Sequence, residues 1–367
     1  MPFSLRLPAL ALGLSLLGAC AQPVKPDAPA AVAATPAATA PVVPHASGSA
    51  TMVVTSATAS SPPALAPEKR AAFVAEAASL SGLGPDEVSA WLDQARYQQS
   101  IINAITRPAE GKPWKDYRPI FLTADRINSG RSFYAEHRAE LDRVSADTGV
   151  PPQYIVAIIG VETSYGRITG TYRVLDALYT LGFFYPRREE FFRSELAQLF
   201  ALSKEQKLDL NTLKGSYAGA MGWGQFMPSS YRKYGKDGDG DGKANLIASP
   251  RDAFASIANY FVGYGWKPGT PPFVPAVAQP GAQEFKPENF EAKYSLAELA
   301  AKGYRPADAG APDLPATLLT LEGANGPEYW IGYQNFYVIT RYNRSPMYAM
   351  AVHQLAQAIA APSPPAP

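Results

Sequence analysis

The most regular hydrophobic pattern in the chain is the run P-P-Q-Y-I-V-A-I-I-G-V-E-T-S-Y-G, from Pro151 to Gly166. Residues at i, i+3, i+4 and i+7 share one helical face, and here they are Ile155, Ile158, Ile159 and Glu162. Two prolines suit a first helical turn, which needs no backbone donors, and a glycine suits a left-handed helix end. The pattern predicts a helix over 151–166 that carries one carboxyl group on an apolar stripe.

Apolar residues recur at helical spacing through much of the remaining chain. The further helices predicted in this way cover 68–80, 85–95, 98–105, 123–143, 174–181, 189–202, 252–264, 296–302 and a last segment ending near Ala360. Pro108, Gly111 and Pro113 interrupt the pattern after the third of these. Short strands are predicted at 317–321 and 330–333, in a region over about 268–333 that begins Pro-rich and irregular. We therefore predict an α+β fold, mainly α-helical, with a small β-containing subdomain.

Glu162 is the first candidate for chemistry. A Glu side chain is almost never fully buried without a partner, and it avoids the cost of a buried charge by staying protonated. A carboxylic acid that is neutral near pH 7 can act as a general acid, and a pKa raised to about 6 serves sugar-cleaving sites in this way. The alternative is a Glu at a helix end that turns to water or pairs with an Arg.

Composition narrows the class of protein. The chain has 367 residues, 47% of them hydrophobic, so it can bury one large core or two modest ones. Its formal net charge is +1, which gives no electrostatic preference for nucleic acid. Its three histidines, His45, His137 and His353, lack ligand spacing. A His-based zinc site or a Ser-His-Asp triad is therefore not expected.

The N-terminus predicts export and anchoring. Arg6 precedes an apolar run over 7–17 that is too short to span a bilayer, which is typical of a signal peptide over 1–19. The sequence L-G-A-C ends at Cys20, the single cysteine of the chain, and resembles a bacterial lipobox, which implies lipid on this cysteine. The alternative is an ordinary signal with a chance cysteine. Because Ala21 rather than Asp follows, we expect the periplasmic side of the outer membrane.

Low-complexity segments flank the predicted domain. Residues 20–67 are rich in Ala, Pro, Val, Thr and Ser, so they cannot bury enough apolar surface to offset their ordering entropy. We interpret them as a disordered tether behind the lipidated cysteine, followed by the folded domain over 68–360 and a disordered tail over 361–367.

A Gly-rich segment follows the predicted helices, G-S-Y-A-G-A-M-G-W-G-Q-F-M-P-S-S-Y, from Gly215 to Tyr231. Its glycines would let a ligand approach the backbone closely. Ser216 and Gln225 offer neutral hydrogen-bonding groups, and the aromatic residues among them offer flat faces, which together suit an uncharged sugar chain. The alternative is a Gly-rich turn between helices that is packed by aromatic rings.

The next segment, D-G-D-G-D-G-K-A-N-L, is typical of a calcium loop. Asp237, Asp239 and Asp241 take positions 1, 3 and 5 of an EF-hand-type loop, and Lys243 at position 7 would contribute its carbonyl. Position 12 is an alanine, so Asp252 is the candidate closing ligand in a longer loop. We predict a structural Ca²⁺ site and no organic cofactor; the alternative is an Asp/Gly turn without metal.

Five motifs in order resemble the lytic murein transglycosylase B family. They are V-E-T-S-Y-G, S-Y-A-G-A-M-G-W-G-Q-F-M-P-S-S-Y, D-G-D-G-D-G, A-N-Y-F and I-T-R-Y-N-R-S, within residues 68–360. The resemblance implies a lysozyme-like catalytic domain with a small β-containing subdomain and an EF-hand-like loop. It also implies cleavage of the MurNAc–GlcNAc β-1,4 bond of peptidoglycan to a 1,6-anhydro-MurNAc end.

The resemblance assigns roles to individual residues. Glu162 matches the catalytic acid/base, and the glycan-contacting or cleft-lining positions are matched by Ser216, Gln225, Tyr260, Tyr342, Asn343 and Tyr348. From the pattern alone, these tyrosines could equally be core residues with satisfied hydroxyls. The implied partners are peptidoglycan strands and the outer membrane, with the cell-wall synthesis machinery as a further candidate. The alternative functions are a hydrolytic muramidase and a non-catalytic murein-binding lipoprotein.

Overall fold

The computed structural model describes residues 64–106 and 112–362. The predicted signal peptide, the lipidation site Cys20, nearly all of the tether and residues 363–367 of the tail lie outside the described residues. These assignments, and the predicted domain limits, stay predictions.

Fourteen α-helices account for most of the described residues. In chain order they are α1 Pro67–Ser81, α2 Pro85–Gln94, α3 Gln99–Thr106, α4 Trp114–Phe121, α5 Ala124–Glu136, α6 Arg138–Thr148, α7 Pro152–Thr163, α8 Val174–Phe184, α9 Glu189–Gln206, α10 Pro228–Tyr234, α11 Pro250–Gly263, α12 Leu296–Ala301, α13 Gln334–Tyr342 and α14 Pro346–Ala360. None of the helices in the described part of the chain combines the length and hydrophobicity needed to cross a membrane.

Within the described residues, six strands form two antiparallel sheets. They are β1 Tyr172–Arg173, β2 Lys214–Gly215, β3 Phe273–Ala278, β4 Tyr304–Pro306, β5 Thr317–Gly323 and β6 Gly326–Gly332. β1 pairs with β2, and the other four form a sheet in the order β4-β3-β6-β5. The predicted α+β class, mainly helical with a small sheet, is confirmed.

Two helical predictions need correction. The segment predicted as one helix over 123–143 is two, because His137, with φ −106° and ψ 22°, ends α5 and begins α6. Thr123 does cap α5, accepting a hydrogen bond from the Arg126 backbone N–H at 3.1 Å. The stretch that Pro and Gly seemed to interrupt contains α4, which buries Trp114 and Phe121 despite an internal proline.

α7 lies at the centre of the main core and packs against α5, α6, α11 and α14. Every residue from Tyr154 to Thr163 is buried. The predicted apolar stripe is therefore too narrow a description, since a helix that is hydrophobic all round is a core helix. Glu162 therefore belongs to a helix whose residues from Tyr154 to Thr163 are buried on every face.

The four-stranded sheet separates two cores. Side chains alternate between the faces of a strand, and Leu319 on β5 joins the main core whereas its neighbour Leu318 joins a smaller one. The smaller core also contains Leu299 from α12 and Ile331 from β6. β3 and β4 were not predicted, because their sequences contain proline and little alternation.

Candidate active site

Glu162 lies one residue before the end of α7, at a turn with unusual backbone conformation. Ser164, Tyr165 and Gly166 all have positive φ, at 51°, 63° and 80°. The predicted left-handed helix end is therefore present, but it begins at Ser164, which caps the helix, and not at the glycine. Left-handed residues other than glycine are costly and persist only where the surrounding structure holds them.

Contacts from two distant segments hold this turn. The Tyr165 hydroxyl donates to the Arg126 carbonyl at 2.7 Å, and the Thr163 hydroxyl donates to the Trp223 carbonyl at 2.9 Å. A Cβ on Gly166 would stand 2.3 Å from the ring of Trp223, so only glycine fits there. The turn is fixed from both sides, and the direction of the neighbouring Glu162 side chain is fixed with it.

The Glu162 carboxyl group is buried and has one hydrogen-bond partner. Glu162 is only 7% exposed, and the Tyr348 hydroxyl donates a hydrogen bond to its Oε1 at 2.6 Å. Among the described residues, Oε2 accepts no hydrogen bond and no Arg or Lys forms an ion pair with this carboxyl. The alternative of a water-facing or Arg-paired Glu therefore does not describe this site.

Burial changes the acidity of Glu162. It raises the pKa of the carboxyl group to about 8, and the Tyr348 hydrogen bond offsets part of the rise. In return, burial and the nearby carboxyl hold the pKa values of Tyr342 and Tyr348 well above the usual tyrosine range. Glu162 is therefore mainly protonated at neutral pH, which is the state of a general acid.

The glycines of the Gly-rich segment pack against protein. A Cβ on Gly219 would meet Leu178 at 2.4 Å, and one on Gly222 would meet the Leu246 carbonyl oxygen at 2.2 Å. Protein atoms already fill these spaces, so the prediction that the two glycines leave room for a ligand is wrong. The alternative, a turn packed from inside the protein, describes them better.

Most polar atoms of the predicted glycan-contacting residues form hydrogen bonds within the protein. Ser216 Oγ accepts from the Ala220 N–H at 3.1 Å, and Gln225 Nε2 donates to the Thr169 and Gly222 carbonyls, both at 3.0 Å. Gln225 itself has a positive φ of 51°. Both side chains thus shape the Gly-rich loop, whatever else they contact.

Three further residues of the predicted cleft also form hydrogen bonds with the backbone. The hydroxyls of Tyr260 and Tyr342 donate to the carbonyls of Arg341 and Gly224, both at 2.5 Å. Asn343 Oδ1 accepts from the Ser345 N–H at 3.1 Å, while its amide nitrogen has no partner among the described residues. Tyr348 alone of this set binds the Glu162 carboxyl.

Sequence reasoning missed Tyr165 and Arg126. The Arg126 guanidinium donates to the Gly160 carbonyl two residues before the catalytic candidate, and burial lowers the pKa of this guanidinium. A Cβ on Gly160 would stand 2.7 Å from the Tyr165 ring. The Gly and Tyr of I-G-V-E-T-S-Y-G were visible in the sequence, but their mutual packing depends on the left-handed turn.

The acidic loop brings three carboxylates together. Oxygens of Asp237, Asp239 and Asp252 lie within 4.8 Å of one another. The buried Asp252 closes the loop, accepting the N–H groups of Gly238 at 2.8 Å and Asn245 at 2.6 Å. Hard carboxylate oxygens at this spacing fit a Ca²⁺ ion.

One predicted metal ligand lies outside that group. Asp241 is exposed and is not among the three clustered carboxylates; its Oδ1 accepts the Lys243 N–H at 2.8 Å. Its role at loop position 5, and the role of the Lys243 carbonyl at position 7, stay predictions.

Known proteins share this architecture. The transglycosylase SLT domain family matches residues 66–357. Membrane-bound lytic murein transglycosylase B of Escherichia coli K12 is 42% identical over 299 residues, which cover 78% of this chain and 81% of that one. Among solved structures, the catenated lytic transglycosylase SltB1 of Pseudomonas aeruginosa is 46% identical over 82% of this chain and 98% of its own, with a TM-score of 0.75.

Two further structures carry ligands. The E. coli lytic transglycosylase Slt35 in complex with calcium is 43% identical, covers 79% of this chain and 92% of its own, and has a TM-score of 0.72. P. aeruginosa SltB3 in complex with NAG-anhNAM-pentapeptide is 30% identical, covers 80% of this chain and 78% of its own, and has a TM-score of 0.68. The resemblance predicted from the five motifs is confirmed. This chain belongs to the lytic murein transglycosylase family, with a transglycosylase SLT domain over most of its length.

Proposed function

We propose that this protein cleaves the β-1,4 bond between MurNAc and GlcNAc in peptidoglycan and leaves a 1,6-anhydro-MurNAc end, with Glu162 as the single acid and base. The observation that supports this most directly is a carboxyl group with a pKa of about 8 at a rigid turn, bound by one tyrosine hydroxyl. Such a group can give a proton at neutral pH and, once ionised, can take one back.

The first step uses the two carboxyl oxygens differently. Tyr348 holds Oε1, so Oε2 presents the proton to the glycosidic oxygen as the bond to C1 of MurNAc breaks. The N-acetyl oxygen of the same sugar stabilises the anomeric carbon as positive charge develops there. The released strand leaves with the proton from Glu162, and the carboxylate that remains keeps the Tyr348 hydrogen bond.

The second step returns the enzyme to its starting state. The C6 hydroxyl of MurNAc attacks C1, the N-acetyl oxygen is released, and Glu162 Oε2 accepts the hydroxyl proton. No water enters the product, so its mass is lower by one water than that of a hydrolysed end. Holding both reacting groups within one sugar supplies the advantage of an intramolecular reaction.

The absence of a second acid near Glu162 supports this route over hydrolysis. Glycosidases of the usual kind place two carboxylates across the scissile bond. Among the described residues, only burial and the Tyr348 hydrogen bond shift the pKa of Glu162, with no contribution from another carboxylate. An internal nucleophile needs no second carboxylate.

Mass spectrometry of purified sacculi after digestion tests the proposed reaction. We expect MurNAc ends that are one water lighter than reducing ends and that resist borohydride reduction. Reducing ends would indicate a hydrolytic muramidase, and binding without release of fragments would indicate a murein-binding lipoprotein. Either result would overturn the proposal.

We also propose that lipid on Cys20 anchors the protein to the periplasmic side of the outer membrane. The lipobox-like sequence supports this, as does the name of the E. coli relative, membrane-bound lytic murein transglycosylase B. Cys20→Ser should release the protein into the soluble periplasmic fraction. Continued fractionation of this variant with outer membranes would contradict the anchor.

The acidic loop is proposed to hold a structural Ca²⁺ ion through Asp237, Asp239 and Asp252. Their clustering supports this, and a relative 43% identical has been solved with calcium. The loop follows α10 and leads into α11, which packs against α7. The ion would therefore stabilise the scaffold of the site and take no part in the reaction.

A further inference from the structure

A second cleft opens at the other end of α7, away from Glu162. Tyr154 stands in the first turn of this helix, eight residues before Glu162 and therefore about 12 Å from it along the axis. The cleft has a volume of about 490 Å³, within the roughly 300–1,000 Å³ of small-molecule sites. Its walls come from α7, α14, the sheet and the connection between α11 and β3, and include Tyr154, Trp266, Phe273, Trp330, His353 and Gln357.

Aromatic rings and four prolines make up most of these walls. Tyr154 and Trp266 meet edge to face with centroids 5.4 Å apart, and Phe273 lies 6.3 Å from Trp330. Trp330 stands on β6 opposite Pro275 of β3, so the sheet presents this ring beside α14. Tyr154, Trp266 and Phe273 are almost fully buried, so Trp330, which is half-buried, is the ring of these four whose face a sugar ring can stack on.

The polar groups of the cleft are neutral. No Asp, Glu, Lys or Arg lines it. Burial lowers the pKa of His353 to about 4, so this ring is uncharged at pH 7. His353 Nδ1 lies 2.8 Å from the Tyr154 hydroxyl, and Gln357 Nε2 donates to the same hydroxyl at 3.4 Å. These contacts fix the polar edge of the cleft before any ligand arrives.

A neighbouring cavity extends the cleft. It measures about 390 Å³ and shares Trp330, His353 and Gln357 with the first. Its own lining adds Arg118, whose guanidinium already donates to Gln354 at 2.7 Å. We call the two cavities, which share these three residues, the α14 groove.

Trp330 carries an unpaired donor at the junction of the two cavities. Its indole N–H is buried and has no hydrogen-bond partner among the described residues. Buried tryptophan N–H groups usually find a partner. A ligand hydroxyl or acetamido oxygen beside the ring would supply one after a small rotation of the indole.

We propose that the α14 groove binds an uncharged N-acetylhexosamine stretch of a glycan strand, separately from the strand at Glu162. The proposal rests on the proposed function for the source of the glycan. Aromatic walls, neutral fixed polar groups and a lining with one already paired cation favour a sugar over an acidic peptide. A site of this kind would keep the protein on the sacculus between cleavage events.

Proline-rich peptides also dock in aromatic grooves, so the test includes one. The five tryptophans of the chain give five indole N–H signals in a ¹⁵N NMR spectrum. Trp330 reports on the α14 groove and Trp223 on the turn at Glu162. The full chain carrying Glu162→Gln, which should not turn over, is titrated with chitotetraose and separately with the heptapeptide Ala-Pro-Ser-Pro-Pro-Ala-Pro.

We expect chitotetraose to move both the Trp330 and the Trp223 signals, with separate saturation curves. Movement of Trp223 alone would overturn the groove and leave the proposed function intact. Movement of Trp330 alone would support the groove and count against the proposed active site. Movement of Trp330 by the heptapeptide but not by chitotetraose would overturn the assignment of a sugar ligand.

Two variants sharpen the result. Trp330→Phe keeps an apolar ring but removes the N–H together with its NMR signal, so Trp266, which lines the same cleft, reports on the groove in this variant. Gln357→Leu removes an exposed amide from the rim and keeps the Trp330 signal. Each should weaken binding at the groove roughly threefold to tenfold, the effect of one neutral hydrogen bond, and leave the Trp223 titration unchanged. Gln94→Leu, an exposed glutamine on α2, is the matched control and should change neither curve. Unchanged groove binding in both rim variants would contradict the proposal.

Discussion

The hydroxyl of Tyr348 donates a 2.6 Å hydrogen bond to Oε1 of Glu162, joining α14 to the end of α7 across 186 residues of sequence. This bond favours the ionised carboxyl, whereas burial favours the neutral one and is the larger effect. The pair therefore sets both the direction of the carboxyl group and the pH range in which it can act.

Tyr348→Phe should separate these two roles. Loss of a hydrogen bond to a charged group should lower kcat/KM roughly tenfold to hundredfold, because the carboxylate formed in the first step loses its donor. The pKa of Glu162 should rise further, so the basic limb of the pH–rate profile should shift to higher pH. Tyr134→Phe, which removes a surface hydroxyl bonded to Asp142, is the control. An unchanged profile in Tyr348→Phe would contradict this role.

The raised pKa also predicts how stability depends on pH. Between its ordinary pKa of 4.5 and about 8, Glu162 is protonated in the folded protein and ionised in the unfolded chain. The folded state binds more protons there, so its contribution to the free energy of unfolding falls as pH rises, by up to about 1.4 kcal/mol per pH unit. Glu162→Gln removes this loss.

We therefore expect Glu162→Gln and the wild type to differ little in melting temperature at pH 4. The variant should become progressively more stable than the wild type up to pH 8, with no further change above it. Parallel melting curves across that whole range would show that the carboxyl group titrates normally in the folded protein.

Gly166→Ala tests whether the left-handed turn is held by packing. The added Cβ would combine a φ of 80° with a 2.3 Å approach to the Trp223 ring, so we expect a loss of roughly 2–4 kcal/mol in the free energy of unfolding. Gly281→Ala has the same sign of φ, 82°, with open space around it, and should lose only about 1–2 kcal/mol. Equal losses, measured by denaturant titration, would mean that Trp223 does not hold the turn.

The calcium loop predicts a response to chelation. A ligand that binds only the folded state at a hundredfold excess over its Kd adds about 2.7 kcal/mol, so a chelator should lower the melting temperature. Asp237→Ala should abolish that response, because this residue belongs to the clustered carboxylates. Asp241→Ala, outside the cluster, should retain most of it. A response that survives in the first variant and disappears in the second would reverse the ligand assignment.

The sequence predicted the local features of the site well. Helical spacing located α7 and put a carboxyl group in the core, and the EF-hand-like spacing led to Asp237, Asp239 and Asp252. Both rest on short-range periodicity, which one segment contains by itself. The family resemblance added the functional interpretation, because five motifs in order are far more specific than any one of them.

Long-range contacts were beyond such reasoning. Nothing near Tyr348 in the sequence indicates that its hydroxyl reaches Glu162, and nothing near Arg126 indicates that its carbonyl accepts from Tyr165. Loop spacing also predicted Asp241 as a ligand, and this residue lies outside the group of three clustered carboxylates. β3 escaped prediction because a strand with an internal proline is recognised only once its neighbour β6 is known.

The central claim is that Glu162 alone moves the proton, and Glu162→Gln on purified sacculi tests it most directly. The amide matches the carboxyl in size but cannot carry out acid–base work, so turnover should fall by at least ~10²–10⁴-fold while binding of the variant to sacculi stays near the wild-type level. Release of anhydro-muropeptides by the variant at a near-native rate would contradict the mechanism.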